Sequence, residues 1–163
     1  MLSRRAVFRA AVFLLSSSLA IVSAAADGAA PFGIDKRPMP SGANLDTLLP
    51  AKVGAFARDP LAKDLKLKSD EDVNVTYRAG KDSIDVGLSK PDSIADARDA
   101  IQVTRDEAVQ SKVPMAGSRT SLKTDPAYFH AHDFISWSRG TYFFYVKASS
   151  PESLAKFMAA FPY

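Results

Sequence analysis

The chain has 163 residues, a formal net charge of +3 and no cysteine. Without cysteine it cannot be a disulfide-stabilised scaffold, so a hydrophobic core has to hold the fold together. A chain of this length buries roughly two-thirds of its unfolded surface, which is enough for one ordinary domain.

Residues 1–26 have the three parts of a signal peptide. Arginines near the start are followed by an apolar run, residues 10–22, and then by the small residues 23–26. The apolar run is shorter than the roughly 20 residues that a bilayer-spanning helix needs. We therefore predict a signal peptide that is cleaved after Ala24 or Ala26, leaving a soluble protein with no stable membrane anchor in the periplasm or outside the cell.

The pair Arg4 and Arg5 indicates how the chain could be exported. Ser3-Arg4-Arg5 resembles a twin-arginine export motif, although Phe8 comes one place later than is usual. An ordinary export signal with two adjacent arginines is the alternative. In both cases the expected partners are the export machinery and signal peptidase.

The leader also explains the positive charge. Its three arginines account for the whole excess of 21 basic over 18 acidic residues, so the mature chain is predicted to be neutral. Acidic and basic residues alternate closely along the rest of the chain, which is typical of a mixed, solvated surface. A nucleic-acid-binding function is therefore disfavoured.

The mature chain begins with a segment rich in proline and glycine. Residues 27–43 are predicted to form a flexible arm, and residues 44–163 a single domain. Asn44 can cap a short helix that Pro50 ends, and a short strand is expected over residues 53–56.

Regular patterns begin at Val73. Apolar and polar residues alternate over 73–78 and again over 84–88, with a glycine turn between them, which predicts a β-hairpin. Asp92 or Ser93 then caps a helix that is predicted to end near Val109.

The remaining chain predicts strands and a final helix. We expect strands over 119–123 and 128–132 and a hairpin over 134–148. Ser150 caps the last helix, which has an apolar face. The predicted fold is α+β, an antiparallel sheet of about five strands with helices packed mainly on one face, preceded by the signal peptide.

The start of the domain resembles a known group of proteins. The run Leu49-Pro50-Ala51-Lys52-Val53-Gly54, followed by the hairpin and the helix after Pro91, is similar to the opening of small uncharacterised exported bacterial α+β proteins. The resemblance covers roughly residues 45–110. It implies a fold of this kind and carries no chemistry.

His130 and His132 are the candidate metal ligands. On a strand, residues two apart lie on the same face, so both imidazoles could bind one divalent metal ion. Asp125 is a conceivable third ligand. No known metal-binding motif accompanies the pair, and two histidines tolerated on a polar strand face are the alternative.

Aromatic residues cluster in the hairpin over 134–147. Alternation places Tyr142 and Phe144 on one face of the sheet and Phe143 and Tyr145 on the other. If helices cover one face only, Trp137, Phe143 and Tyr145 are candidates for a ligand or partner surface. The alternative is that both aromatic sets are covered.

The sequence contains no catalytic motif. It has neither a G-x-S-x-G elbow nor a cysteine, and no set of catalytic residues is predicted. The leading hypothesis is a non-enzymatic exported domain that binds an envelope protein or a small ligand, with no cofactor. The alternative is a metal-binding protein or metalloenzyme that uses His130 and His132.

Overall fold

The computed structural model describes residues 29–63, 65–69, 71–119 and 126–163. The predicted signal peptide, the export pair Arg4 and Arg5, and Asp125 lie outside these residues. In the described part of the chain no helix has the length and apolarity needed to cross a membrane.

The described elements are helices and antiparallel strands. In chain order they are a 3₁₀ helix (Pro31–Lys36), α1 (Leu45–Leu48), β1 (Lys52–Val53), β2 (Phe56–Arg58), β3 (Val73–Ala79), β4 (Asp82–Ser89), α2 (Ile94–Gln110), β5 (Met115–Arg119), β6 (Tyr128–Ala131), β7 (Phe134–Arg139), β8 (Tyr142–Ala148) and α3 (Pro151–Ala160). The strands form one sheet in the order β1-β2-β3-β4-β8-β7-β6-β5. The mixed composition and the antiparallel sheet confirm the predicted α+β class.

The sheet is larger than predicted. Eight strands are present in the described residues rather than about five. The predicted strand over 53–56 is instead the centre of a tight hairpin, with Val53 paired to Phe56. β5 lies at Met115–Arg119, and its glycine and polar residues give almost no periodic signal. Of the strand predicted over 119–123, residues 120–123 lie outside the described residues.

The two predicted hairpins are confirmed. β3 and β4 pair from Val73 opposite Leu88 to Ala79 opposite Asp82, and Gly80 makes the turn with φ +60°. β7 and β8 pair from Phe134 to Arg139 in the same way, with the turn at Gly140. β8 also pairs with β4, so the two hairpins join in the middle of the sheet.

Helices cover both faces of the sheet, not mainly one. Phe144 of β8 packs in the cluster that contains Phe157 of α3. Its neighbour Phe143 packs with Ile101 of α2. Because adjacent strand residues point to opposite faces, α3 and α2 lie on opposite sides of the sheet. The residues of β8 that point to either face of the sheet are therefore apolar, because a helix covers each face.

The predicted capping residues and apolar faces of the longer helices are confirmed at most positions. Ser150 accepts a hydrogen bond from the backbone N–H of Ser153 at the start of α3, and Phe157 is fully buried. Ser93, rather than Asp92, caps α2. The first apolar residue of α2, Ile94, is exposed, because the buried face of that helix lies elsewhere.

The segment before α1 is packed on the domain, contrary to the predicted flexible arm. Ile34 is fully buried in the core on the α3 side. The guanidinium of Arg139 donates hydrogen bonds to the backbone carbonyls of Asp35 at 3.2 Å and Arg37 at 2.9 Å. From residue 30 onward, the segment therefore forms part of the folded domain.

Candidate functional site

The three predicted surface aromatics do not form one surface. Trp137 is fully buried on the α3 side, where its ring stacks on Phe144 with centroids 5.0 Å apart. Phe143 lies on the opposite side and is covered by α2. The prediction assumed that one face of the sheet was open, and α2 closes most of that face.

Tyr145 is the only one of the three that is partly exposed. It lies opposite Gly87 on β4, and the ring of Phe134 packs against it with centroids 4.9 Å apart. Burial, together with the nearby carboxylates of Asp85 and Asp133, raises the pKa of Tyr145 to about 12. This environment keeps the phenol neutral and makes Tyr145 a packing residue at the border of the α2 interface.

The two histidines have different environments. β6 ends at Ala131, so His132 lies in the turn before β7 and is exposed. His130 is half-buried, and the ring of Phe32 packs edge-on against it with centroids 5.1 Å apart. Burial lowers the pKa of His130.

The expected strand alternation therefore does not reach His132. Among the described residues no group of three histidine, aspartate or glutamate side chains is placed to hold a metal ion. Asp125, the conceivable third ligand, is outside those residues. Metal binding by the pair thus remains a prediction that rests on sequence alone.

The feature that the sequence interpretation missed is the long connection between β2 and β3. It spans residues 59–72 and contains no helix or strand in its described part. Connections longer than about 12 residues without secondary structure are uncommon in compact domains and are often functional. The signal available was a charged stretch, with Pro60 near its start, between two patterned segments.

This β2–β3 connection is held at its β2 end and in the middle. The backbone N–H of Asp59 donates to the carbonyl of Thr76 at 2.8 Å, and its carboxylate pairs with Arg78 at 3.2 Å. Leu67 is buried in the core, and Leu61 packs against it in part. These anchors fix the path of the connection, and its residues line two clefts.

The first cleft has a volume of about 480 Å³ and lies between the connection and the start of α1. Among the described lining residues leucines and cations dominate, with one carboxylate and one amide. The lining residues are Ala43, Asn44, Leu45, Asp46, Arg58, Leu61, Ala62, Lys63, Leu65 and Lys66. We call this the first cleft below.

Arg58 forms a rigid part of the wall of the first cleft. Its side chain is only 7 % exposed. The guanidinium donates to the carboxylate of Asp46 at 2.7 Å and to the backbone carbonyl of Leu49. Because a planar guanidinium held at two points loses little further entropy on binding, this wall is pre-organised.

The second cleft is lined by later residues of the connection and has a volume of about 300 Å³. Its lining residues are Ala43, Leu67, Ser69, Lys90, Pro91, Asp92 and Thr141. The hydroxyl of Ser69 donates to the carboxylate of Asp92 and ties the connection to the start of α2. Ala43 borders both clefts, so the two are adjacent.

The two clefts carry charged groups of both signs. Both carboxylates among the described lining residues have a partner, Asp46 with Arg58 and Asp92 with Ser69. The lysines Lys63, Lys66 and Lys90, in contrast, have no carboxylate within salt-bridge distance in the described part of the chain.

No protein-family model, curated protein or solved structure matches this chain. The assignment of a function consequently rests on the geometry of the clefts and on their chemistry.

Proposed function

We propose that this protein is a non-enzymatic binding domain of the periplasm or the extracellular space, and that its ligand binds at the β2–β3 connection. The observation that carries the proposal is the pair of adjacent clefts, of about 480 and 300 Å³, that are both lined in part by the longest irregular segment in the described chain. Binding sites are commonly concave and formed by loops on a rigid scaffold.

The chemistry of the lining supports binding over catalysis. The first cleft offers aliphatic side chains, one amide and cations, with the carboxylate of Asp46 already engaged by Arg58. Such groups hold a ligand by hydrophobic contact and charge-assisted hydrogen bonds. A nucleophile would need a base within hydrogen-bond reach, and the described lining residues supply no such pair.

The surrounding fold supports a fixed site. The connection is anchored by Leu67 in the core and by the ion pair of Asp59 with Arg78. The hydroxyl of Tyr77 donates to the backbone carbonyl of Pro50 at 2.9 Å, which holds the chain beside the cleft. A ligand at this site would need little rearrangement of the protein.

Photo-cross-linking tests the proposal, and the absence of native cysteine makes single-cysteine variants straightforward. Ala62 in the first cleft and Ala155 on α3 are both exposed alanines. We would attach a benzophenone to Ala62→Cys and, as the matched control, to Ala155→Cys, and illuminate each protein in an extract of the native cell envelope.

A discrete adduct is expected from position 62, reduced by excess unlabelled protein, and not from position 155. Mass spectrometry would then identify the cross-linked species. Equal adducts from both positions, or none from position 62, would show that the proposal is wrong.

A further inference from the structure

We propose that Asn74 is a site of N-linked glycosylation and that the attached oligosaccharide packs beside the ring of Tyr145. The run Asn74-Val75-Thr76 is an acceptor motif, asparagine followed two positions later by threonine with no proline between them. Asn44, the only other asparagine of the chain, lacks the motif because Asp46 is at the corresponding position. The proposal rests on the location outside the cytoplasm proposed above and is independent of the two clefts.

The modification joins the side-chain amide of Asn74 to a sugar. The donor is an oligosaccharide whose first carbon, C1, is linked to a lipid pyrophosphate, and an oligosaccharyltransferase catalyses the transfer. A bond forms between the amide nitrogen and C1, and the bond between C1 and the pyrophosphate oxygen breaks. The lipid pyrophosphate leaves with the electron pair, and the amide loses one proton to the transferase.

The position of Asn74 on β3 leaves its side chain accessible. Val75 and Tyr77 lie in the core on the α3 side, so Asn74 lies on the opposite face of the sheet, where it is exposed. Among the described strands, β2 pairs with β3 only at Tyr77 and Arg78, so Asn74 is paired with β4 alone. Asp72, two positions before the acceptor, is also exposed and offers a transferase a carboxylate for charge-assisted hydrogen bonds.

The part of the sheet around Asn74 lies beyond the helix that covers this face. α2 packs on β6, β7 and β8. Asn74 is on β3, which is two strands beyond β8 in the sheet. A bulky group attached to Asn74 therefore extends over an open part of the sheet and does not enter the core.

Gly87 directs the amide of Asn74 towards Tyr145. Gly87 of β4 is paired with Asn74 on one side and with Tyr145 on the other. A Cβ added at Gly87 would be 2.9 Å from Oδ1 of Asn74 and 3.5 Å from Cβ of Tyr145, so the amide and the tyrosine are close neighbours. The backbone of Gly87 is not left-handed and does not itself require glycine. A glycine inside a strand often marks a close approach by another group.

Tyr145 supplies an apolar surface for the first sugar. Its ring is partly exposed and is held in place by Phe134. Aromatic rings of this kind offer an apolar face together with a polar hydroxyl, and both suit a sugar. On the same face Thr76 donates to Asp85 at 2.8 Å, and Asp85 lies opposite Lys147. Sugar hydroxyls beside Asn74 therefore meet hydrogen-bonding groups as well as the ring.

Mass spectrometry of the full chain, purified from its own cells, tests the proposal. Trypsin releases residues 69–78 as one peptide, which contains Asn74. We expect this peptide to carry the mass of an oligosaccharide. The intact mass also gives the mature N-terminus, and cleavage after Ala24 or Ala26 would show that the chain was exported.

Four variants locate the sugar. Asn74→Gln and Thr76→Ala should each lose the oligosaccharide entirely, because the motif requires both the asparagine and a hydroxyl two positions later. Thr76→Ser keeps a hydroxyl and should remain modified. The matched control is Asn44→Gln, which should also remain modified. Far-UV circular dichroism would show that each variant is folded.

Thermal unfolding tests the contact with Tyr145. The midpoint of the glycosylated parent should be a few degrees above that of Asn74→Gln. This difference should shrink when both proteins also carry Tyr145→Ala, which removes the ring, in a double-mutant cycle. A difference that is absent, or equal in the two backgrounds, would show that the sugar does not pack on Tyr145.

Two results would overturn the assignment of Asn74. They are an unmodified peptide from an exported chain, and an oligosaccharide that persists in Asn74→Gln. Neither result bears on the clefts, whose ligand is tested by the adduct at position 62. A chain that keeps its leader and carries no oligosaccharide would contradict the proposed location as well.

Discussion

The guanidinium of Arg37 donates a hydrogen bond of 2.6 Å to the backbone carbonyl of Phe161, which lies 124 positions later in the chain. The same side chain donates to the carbonyls of Tyr163 and Phe32 at 3.2 and 2.7 Å, and to that of Met158. The last carbonyls of a helix have no partner within it, so Arg37 both caps the end of α3 and holds the N-terminal segment against it.

Replacing Arg37 by alanine should therefore destabilise the protein strongly. The change removes a cation at the negative end of α3 and leaves carbonyls without a donor, and we expect a loss of about 3 kcal/mol in the free energy of unfolding. Urea denaturation measures the loss. The control is Lys36→Ala, an exposed neighbour whose removal should have little effect. Equal urea midpoints for the two variants would contradict the role assigned to Arg37.

The turn between β1 and β2 lies against α3 and should not tolerate a side chain. Gly54 has φ +57°, and a Cβ added there would be 3.1 Å from the Cβ of Ala160. Gly80 has nearly the same backbone conformation, φ +60°, but no atom within 4 Å of an added Cβ. The two glycines therefore separate backbone strain from steric contact.

Gly80→Ala should cost about 1 kcal/mol for the left-handed backbone alone. Gly54→Ala should cost about 1 kcal/mol more, because the contact with Ala160 adds overpacking. Thermal unfolding of both variants gives the comparison, and the double variant Gly54→Ala, Ala160→Gly should recover part of the extra loss in a double-mutant cycle. Equal costs at the two glycines would show that the contact is unimportant.

The sequence predicted the elements whose pattern is local. The hairpin from Val73, the cap at Ser150 and the apolar face of α3 each follow from periodicity and a turn or capping residue. β1 and β5 escaped prediction because a strand of two residues, or one containing Gly117, has too few side chains for a period. The packing of α2 on the face opposite α3 is decided by tertiary contacts. β8 permits it because both of its faces are apolar.

The candidate site could not be derived from the sequence for a related reason. The first cleft is formed by residues 43–46 and 61–66, together with Arg58, and only the fold brings these together. The flexible arm was expected from its prolines and glycines, but Ile34 and Arg37 fix it through contacts over a hundred residues away. The composition of a segment indicates its conformational freedom when isolated. It does not indicate which distant residues the segment contacts in the folded protein.

The hydroxyls of two serines under α2 should lower the stability of the fold. Ser136 and Ser138 of β7 are fully buried, and their hydroxyls have no hydrogen-bond partner in the described part of the molecule. A buried hydroxyl without a partner costs roughly 1–3 kcal/mol. We therefore expect Ser136→Ala and Ser138→Ala each to raise the free energy of unfolding by about 1 kcal/mol.

Ser150 provides the opposite case, since its hydroxyl accepts from the backbone N–H of Ser153 at 3.2 Å and caps α3. Ser150→Ala should lower the free energy of unfolding by about 1 kcal/mol. Chemical denaturation of the three variants tests both signs together. A loss of stability at positions 136 and 138 equal to that at 150 would show that the buried hydroxyls are satisfied.

Tyr145 should make the fold sensitive to alkaline pH. Its pKa is raised to about 12, first by burial and then by Asp85 and Asp133, against about 10 for an ordinary tyrosine. Above pH 10 the unfolded chain releases the phenolic proton while the folded protein still holds it. The contribution of Tyr145 to the free energy of unfolding is therefore fully present below about pH 10 and is lost as the pH rises towards 12.

The variant Tyr145→Phe cannot ionise at this position, so its stability should fall less steeply between about pH 10 and 12. Burial also raises the pKa of Tyr77, so part of the alkaline loss should remain in the variant. Urea midpoints measured across this range give the comparison. If parent and variant differ by the same amount at pH 9 and at pH 12, Tyr145 is not the group responsible.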